Sequence, residues 1–353
     1  MSKPIIQPES IRSLLIRSTN WVGDAIMTTP AVRVIRDCFP GARLSVLAKP
    51  LVAPVFENSP RVDEVLIYED TGRHRGFSGK IRLARDMRRH RFEAALLLQN
   101  AFEAAFITAA ARVPVRVGYD TDGRGLLLTH PVRNYRRYKQ GHHVDYFLSI
   151  VEQSQFGNHC PNGRRQLEFF TGQSDRAEAG RILSENDLAG DRLLGLSPGA
   201  TFGPAKQWPP ERYSQLADEL CQEAGWQAVI LGGPGDRATA GAIAGAMKSP
   251  VINLCGRTSL GQAAALMERC GLFVSNDSGL MHLAAALAVP LVAVFGSTSA
   301  EATGPLSANS RVVQVDLDCR PCLKPECPRG HTACLEKISV NMVKDAVREV
   351  LAT

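Results

Sequence analysis

The residues best suited to chemistry lie in four short runs, each placed after an apolar segment and before a helical one. The densest is Ser275-Asn276-Asp277-Ser278-Gly279-Leu280-Met281-His282. Ser278 and Gly279 would present free N–H groups at the positive end of a helix dipole, which suits a diphosphate. His282 falls one turn on, beside Asp277 or Ser278. A lone histidine is more often structural; its neighbours argue here for a ligand. A second run, Ser197-Pro198-Gly199-Ala200-Thr201-Phe202-Gly203-Pro204-Ala205-Lys206-Gln207-Trp208, offers small residues, a hydroxyl and one lysine. Those are the donors and point charge a phosphate requires. The plainer alternative is a surface loop with a solvated lysine, but Pro204 and Trp208 would hold Lys206 more firmly. In the third run, Leu231-Gly232-Gly233-Pro234-Gly235-Asp236, exposed backbone and a carboxylate could meet a ribose, or Asp236 could simply cap a turn.

The fourth run, Ser18-Thr19-Asn20-Trp21-Val22-Gly23-Asp24, stands alone in the first half. Asp24 is at or near a helix start, so it is either a cap or a general base, and Gly23 allows close approach to a ligand. The run is not GxGxxG, so no dinucleotide fingerprint is present here.

The elements that must position these runs alternate. Apolar strands are expected at 14–17, 44–48, 65–67, 94–98, 193–197, 228–231, 250–254, 272–275 and 291–295. Helices are expected at 24–38, 80–90, 101–112, 211–223, 260–268, 280–287 and 340–351. Such alternation implies right-handed crossovers and parallel sheets. The rhythm weakens between Tyr119 and Gly172, and 353 residues suit two domains. The expectation is therefore an α/β chain of two Rossmann-like, doubly wound domains, 1–170 and 171–353. The last helix is allowed to pack back on the first domain. Ligand loops in such folds lie at the carboxyl ends of strands. Three loops of the second half would hold a nucleotide diphosphate across an interdomain cleft, and the acidic loop of the first half would face it.

Composition narrows the partners. Hydrophobic residues make up 44% and charged residues 22%, as in ordinary globular proteins. No long uncharged apolar window and no secretory signal at the first residues are seen, so a cytoplasmic protein is expected. Residues 1–160 carry 23 Lys and Arg against 15 Asp and Glu, whereas 161–353 carry 18 against 20. An anionic partner for the first half follows. Arg73, Arg75, Lys80, Arg82, Arg85, Arg88, Arg89 and Arg91 form one cluster. Arg133, Arg136, Arg137, Lys139, His142 and His143 form another. Part of this is a solvated helix face. The aromatic interleaving of single-strand binders is missing, so nucleic acid is not expected, while an acidic glycolipid or anionic membrane fits. Scattered cysteines (Cys38, Cys160, Cys221, Cys255, Cys270) should be reduced in a cytosol. Cys319, Cys322, Cys327 and Cys334, with His331 nearby, have intervals that permit a structural zinc site, but the second C-x2-C of a zinc ribbon is absent and free thiols are favoured.

At these loops the chain resembles the ADP-heptose:lipopolysaccharide heptosyltransferases over nearly its whole length. The markers are Asn20-Trp21-Val22-Gly23-Asp24 with Thr28-Thr29-Pro30, Val117-Gly118-Tyr119, Asp122-Gly123-Arg124-Gly125, Ser197-Pro198-Gly199-Ala200, Lys206-Gln207-Trp208-Pro209, Asn276 to His282, and the cysteine-rich loop. The resemblance implies a GT-B fold and an inverting transferase that moves heptose from ADP-heptose to the lipopolysaccharide inner core. The acceptor implied is Kdo-lipid A already carrying one heptose, met at the cytoplasmic face of the inner membrane. It implies Asp24 as general base and Lys206 as the phosphate-binding lysine. On the donor side it implies Thr201, Asp236, Asp277, Ser278, Gly279 and His282, with Thr258, Ser259 and Leu260 near the adenine. Relatives often carry Glu where this chain has Asp236. Asn20, Gly23, Asn100, Lys139 and His142 fall on the acceptor side. No cofactor or metal is implied, charge neutralisation by Lys206 and helix N–H groups standing in its place. Addition of the first heptose, or another core sugar, is the sibling alternative. A non-catalytic nucleotide-sugar or nucleic-acid-binding protein is the alternative of another class.

Overall fold

Twelve strands form two six-stranded sheets in the computed structural model, which describes residues 10–133, 140–154, 156, 164–188 and 192–352. The chain divides into two units, Met1–Phe170 and Thr171–Thr353. In the first, β1 (Ser13–Arg17), β2 (Arg43–Ala48), β3 (Glu64–Ile67), β4 (Ala94–Leu97), β5 (Val115–Tyr119) and β6 (His130–Val132) lie in the order β3-β2-β1-β4-β5-β6. In the second, β7 (Leu193–Ser197), β8 (Gln227–Ile230), β9 (Val251–Asn253), β10 (Cys270–Asn276), β11 (Leu291–Val294) and β12 (Ser310–Val313) lie in the order β12-β11-β10-β7-β8-β9. Counted from its own first strand, the second sheet repeats the order of the first. Every strand pairing is parallel. Strands covered on both faces read as unbroken apolar runs, and Leu14, Leu15 and Ile16 or Leu193, Leu194 and Leu196 are accordingly buried.

The order reverses between β1 and β4 and again between β7 and β10. Loops leaving those strand pairs diverge and leave a crevice at the carboxyl edge of each sheet. All four chemistry-bearing runs leave a strand at such an edge.

Three strands escaped the sequence reading. β6 is three residues long with Pro131 inside it, tolerated because it is an edge strand. β12 is also an edge strand, and β5 ends at Tyr119, where the weak region begins. The single helix expected at 24–38 is two helices, Val22–Met27 and Thr29–Cys38. The Thr28 and Thr29 hydroxyls donate back to the Ala25 and Ile26 carbonyls at 2.6 and 2.8 Å, and Pro30 starts the second helix. The last helix, Val340–Leu351, packs on β11, β12 and the helix Pro210–Ala224, all in the second unit. The Lys344 ammonium anchors it to Glu219 and Glu223 at 2.8 and 2.7 Å. Cys38, expected as a reduced thiol, is disulfide-bonded. Its buried position at the end of the Thr29–Cys38 helix brings it to a second sulfur, which linear spacing does not reveal. No helix among the described residues is long and apolar enough to cross a membrane.

Gly195 shows how tightly the second sheet is packed. It pairs with Phe273 on β10, and a Cβ there would stand 2.3 Å from the Phe273 ring. Gly195→Ala is therefore expected to lower stability by about 1–3 kcal/mol, read as a lower urea midpoint. Adding Phe273→Leu should recover part of that loss. An unchanged midpoint in the single variant would show that the ring yields freely.

Candidate active site

In the first unit β1 ends on Arg17, whose guanidinium is fully buried. It donates to the Asn20 side chain at 2.9 Å, to the Leu47 carbonyl at 3.5 Å and to the Ser18 carbonyl. It lies 5.3 Å from the centre of the Tyr68 ring. Burial pulls its pKa down to about 10, partly offset by the charge of Glu103. Tyr68 donates to Glu103 at 2.7 Å, and Lys80 pairs with the other Glu103 oxygen at 2.7 Å. Burial acts to raise the Glu103 carboxyl, but Lys80 and Tyr68 outweigh it and hold the group below the usual range. The Asn20 loop is thus tied to the sheet by a rigid donor fork. Asp24 follows as the third residue of the helix Val22–Met27, half-buried, with Gly23 just before it. Trp21, not Asp24, occupies the cap position, and Trp21 makes no side-chain cap.

Beside it, after β4, Asn100 is held from two directions. Arg124 donates to its side-chain oxygen at 3.0 Å, and its amide donates to the Tyr146 hydroxyl. Arg124 is fully buried, donates to the Tyr119 carbonyl at 2.8 Å and to that of Gln99, and is pulled by burial to a pKa of about 10. Tyr146 stacks on Tyr119 at 4.5 Å. It lies one turn into the helix His143–Glu152, which His142 caps by accepting the Val144 N–H at 3.1 Å. His142 thus has a structural duty as well as its expected one. Asn20, Gly23, Asp24 and Asn100 leave neighbouring strands, and His142 joins them through Tyr146. Lys139, Arg136 and Arg137 lie outside the described residues.

In the second unit the central pair is Lys206 and Asp277, 2.6 Å apart and 13% and 4% exposed. The Thr298 hydroxyl donates to the same Asp277 oxygen at 2.6 Å, and the Lys206 ammonium lies 5.0 Å from the centre of the Phe202 ring. Asn276, the last residue of β10, is fully buried and ties both ends of the Lys206 loop to that strand. Its amide donates to the Pro198 carbonyl at 2.6 Å, while its oxygen accepts from the Trp208 N–H at 3.1 Å and the Tyr213 hydroxyl at 3.0 Å. Ser278 caps the helix Gly279–Ala286, accepting from Met281, and His282 is buried one turn inside it. Thr201 is exposed on the Lys206 loop. Asp236 turns into its own loop: it accepts the Gly233 N–H at 2.8 Å and lies where a Cβ on Gly199 would be. In this state its carboxylate braces two loops. Thr258, Ser259 and Leu260 follow β9, with Ser259 and Gln262 forming a reciprocal cap of the helix Leu260–Met267. The Gly256 N–H donates to the Gly232 carbonyl at 2.8 Å, which joins this loop to its neighbour.

Sequence reasoning missed what supports Lys206. The cysteine-rich loop is laid directly against it: the Pro325 carbonyl accepts from Ala205 at 3.0 Å, and Leu323 donates to Ser297 at 2.9 Å. Arg320 donates to the carbonyls of Gly296 at 2.6 Å, Val315 at 2.6 Å and Thr298 at 3.3 Å. Arg320 fixes Thr298, Thr298 fixes Asp277, and Asp277 holds Lys206. No periodicity marks an arginine in an irregular loop for such a part; only its contacts do. Cys319, Cys322, Cys327 and Cys334 line a small cavity of about 20 Å³ with Ala205 and Ser297. All four are free thiols, and among the described residues no group of three or more His, Cys, Asp or Glu is placed to hold a metal ion. Backbone N–H groups of Thr332 and Arg329 hold the Cys327 thiol below its usual value. Two Asp-x-Asp triplets are present, Asp120-Thr121-Asp122 and Asp316-Leu317-Asp318. The second lines a cavity of about 460 Å³ with Glu301 and Arg320.

Two repeated doubly wound units, with a lysine and a helix N-terminus at the reversal of the second sheet, define a GT-B glycosyltransferase. The family model for glycosyltransferase family 9 (heptosyltransferase) matches residues 80–333, and the chain belongs to that family. It is 30% identical to lipopolysaccharide heptosyltransferase 2 of Salmonella typhimurium, covering 96% of this chain and 98% of that one. The structure of ADP-heptose lipopolysaccharide heptosyltransferase II from Escherichia coli matches with a TM-score of 0.81 at 28% identity, covering 96% and 98%. A family 9 glycosyltransferase from Veillonella parvula matches with a TM-score of 0.86 at 25% identity, covering 97% of both.

Arg320→Ala should weaken ADP binding about tenfold or more in titration calorimetry, since three carbonyls lose a charged donor. Arg320→Lys should restore only part, because an ammonium cannot reproduce the fork. Unchanged affinity in the alanine variant would remove Arg320 from the chain that supports Lys206.

Proposed function

We propose that this glycosyltransferase moves L-glycero-D-manno-heptose from ADP-heptose to the first heptose of the lipopolysaccharide inner core, with inversion at the anomeric carbon. The supporting observation is likeness to heptosyltransferase 2 over 96% of this chain and 98% of that one. Asp24 takes the proton from the acceptor hydroxyl as that oxygen bonds to the anomeric carbon. The bond from that carbon to the diphosphate breaks, and ADP leaves with the electron pair. Lys206 and the N–H groups at Ser278 and Gly279 meet the charge that grows on it. Lys206 carries three donors, so it can meet a phosphate while Asp277 keeps it aimed. Asn20, Asn100, Lys139 and His142 serve the acceptor, and Thr201, Asp236, His282 and the Thr258–Leu260 loop serve the donor. No divalent cation or other cofactor is needed for this charge balance. The acceptor is Kdo-lipid A bearing one heptose, and the enzyme works peripherally at the cytoplasmic face of the inner membrane.

Incubation with ADP-heptose, EDTA and truncated core acceptors, read by mass, tests the assignment. One heptose should be added to the acceptor that carries the first heptose and none to the acceptor that lacks it. The reverse pattern would make the enzyme the first-heptose transferase. Loss of all transfer in EDTA, restored by Mg²⁺, would overturn the metal-free mechanism and direct attention to Asp316 and Asp318.

Asp24→Ala should cut transfer at least 10²-fold while ADP-heptose affinity stays within about tenfold. Lys206→Ala should lower affinity and turnover together. Normal turnover in Asp24→Ala would rule out that residue as the base.

A further inference from the structure

Trp21 stands in an unusual place. Of the three tryptophans, Trp208 is fully buried and Trp226 packs against the core of the second unit. Trp21 is 59% exposed. It holds the cap position of the helix Val22–Met27 in extended backbone, with φ −109° and ψ 142°, and makes no side-chain cap. Cap positions favour Ser, Thr, Asp and Asn because a short oxygen-bearing side chain can accept a helix N–H. An indole cannot accept one, so nothing in the helix calls for Trp21. Single exposed apolar residues are ordinary, but tryptophan is highly buried on average.

Its neighbours supply a polar complement. Asn20, beside it, gives its side-chain oxygen to Arg17 at 2.9 Å. Among the described residues nothing accepts from the Asn20 amide hydrogens, so two donors held by that bond remain. Asp24 stands three residues on, at the helix position whose side chain neighbours the cap. Gly23, between them, adds no side chain. The run leaves β1, where the strand order of the first sheet reverses toward β4. A flat apolar face, an amide donor and a carboxylate acceptor thus share one turn, and that set is complementary to one chemical class. A pyranose carries a patch of C–H bonds on a ring face, made slightly positive by the ring's oxygens, and hydroxyls around its rim. The C–H patch suits the electron-rich face of an indole. The hydroxyls suit the amide and the carboxylate. A wholly apolar ligand would leave both polar groups unmet, and a phosphate would be set against the charge of Asp24.

We propose that Trp21 is the platform on which the acceptor sugar ring stacks, its edge turned to Asn20 and Asp24, and so a specificity-determining residue of the transfer. The ring is the one that bears the attacking hydroxyl, a heptose in the proposed reaction, on which the inference rests. Stacking fixes two of the ring's rotations and leaves the third to the Asn20 amide, so the hydroxyl reaches Asp24 already oriented. Trp21 carries no titrating proton and meets no developing charge. Its loss is therefore felt in holding the acceptor and not in the chemical step.

Initial rates with deacylated core acceptors that carry or lack heptose, together with acrylamide quenching of tryptophan fluorescence, test it. Trp21→Ala should raise the acceptor KM about tenfold, with kcat and the ADP-heptose KM within about threefold of wild type. Trp21→Phe should recover most of the loss. Leu51→Ala removes a side chain that is also 59% exposed, after β2, and should change neither constant. Because Trp208 is buried and Trp226 partly so, acrylamide reads mainly Trp21. Saturating acceptor should lower the quenching, ADP alone should not, and Trp21→Phe should abolish the response. A wild-type acceptor KM in Trp21→Ala, or equal quenching with and without acceptor, would overturn the platform. Transfer only to the acceptor that lacks heptose, with the indole shielded by that acceptor, would overturn the proposed reaction and leave the platform standing.

Discussion

The second unit is organised around one buried contact, the Lys206 ammonium against the Asp277 carboxylate at 2.6 Å. Two charges withdrawn from water lose several kcal/mol of hydration each, and the contact survives only if the remaining lone pairs are met. Thr298 meets one. The rest of the local architecture keeps the partners in register. Asn276 points inward and bonds Pro198 and Trp208, the two ends of the Lys206 loop, so Asp277, the next residue, is delivered to Lys206. Adjacent residues at the end of β10 thus have divided duties, Asn276 structural and Asp277 electrostatic. The cysteine-rich loop then closes over the far side of Lys206 through Pro325 and Arg320.

The two sheets have the same strand order but use their reversal points differently. In the second unit a lysine and a helix N-terminus converge there, an arrangement that stabilises developing negative charge. In the first, the loop after β1 carries a carboxylate, and the positive groups nearest the backbone are inside. One edge presents an ammonium and helix N–H groups, and the other a carboxylate and polar amides. One topology is turned to two tasks by the residues at its strand ends.

The strand–helix rhythm and the two-sheet architecture were legible because buried parallel strands are apolar throughout. Leu14–Arg17 and Leu193–Ser197 announce themselves without any alternation. The edge strands β6 and β12 did not, unlike the edge strands β3 and β9, since His130-Pro131-Val132 and Ser310-Arg311-Val312-Val313 contain no such run. The four ligand loops were legible from crowding of Gly, Ser, Asn and Asp after a strand, and the family from the same motifs. The division of the first helix was hidden: Thr28, Thr29 and Pro30 were read as a family marker, not as a break. Duties that depend on long-range contact were hidden too. Arg320 and Arg124 act on carbonyls that only the folded chain brings near, and His142 looks identical as a ligand or as a cap until Val144 is seen donating to it.

Arg17 and Arg124 sharpen the point. Each is a fully buried guanidinium whose bonds run to carbonyls and to one asparagine each, Asn20 or Asn100. Burial works against both charges and pulls each group to a pKa of about 10, yet both remain cations at neutral pH. Neutral acceptors offset the lost hydration only when several are engaged together, which a planar fork with five donors can do and an ammonium cannot. The result is two asparagine amides held from beneath at the ends of neighbouring strands, with Asp24 one helical turn beyond Asn20. Their rigidity comes from cations buried beneath the strand ends, which fix Asn20 and Asn100 through their side-chain oxygens.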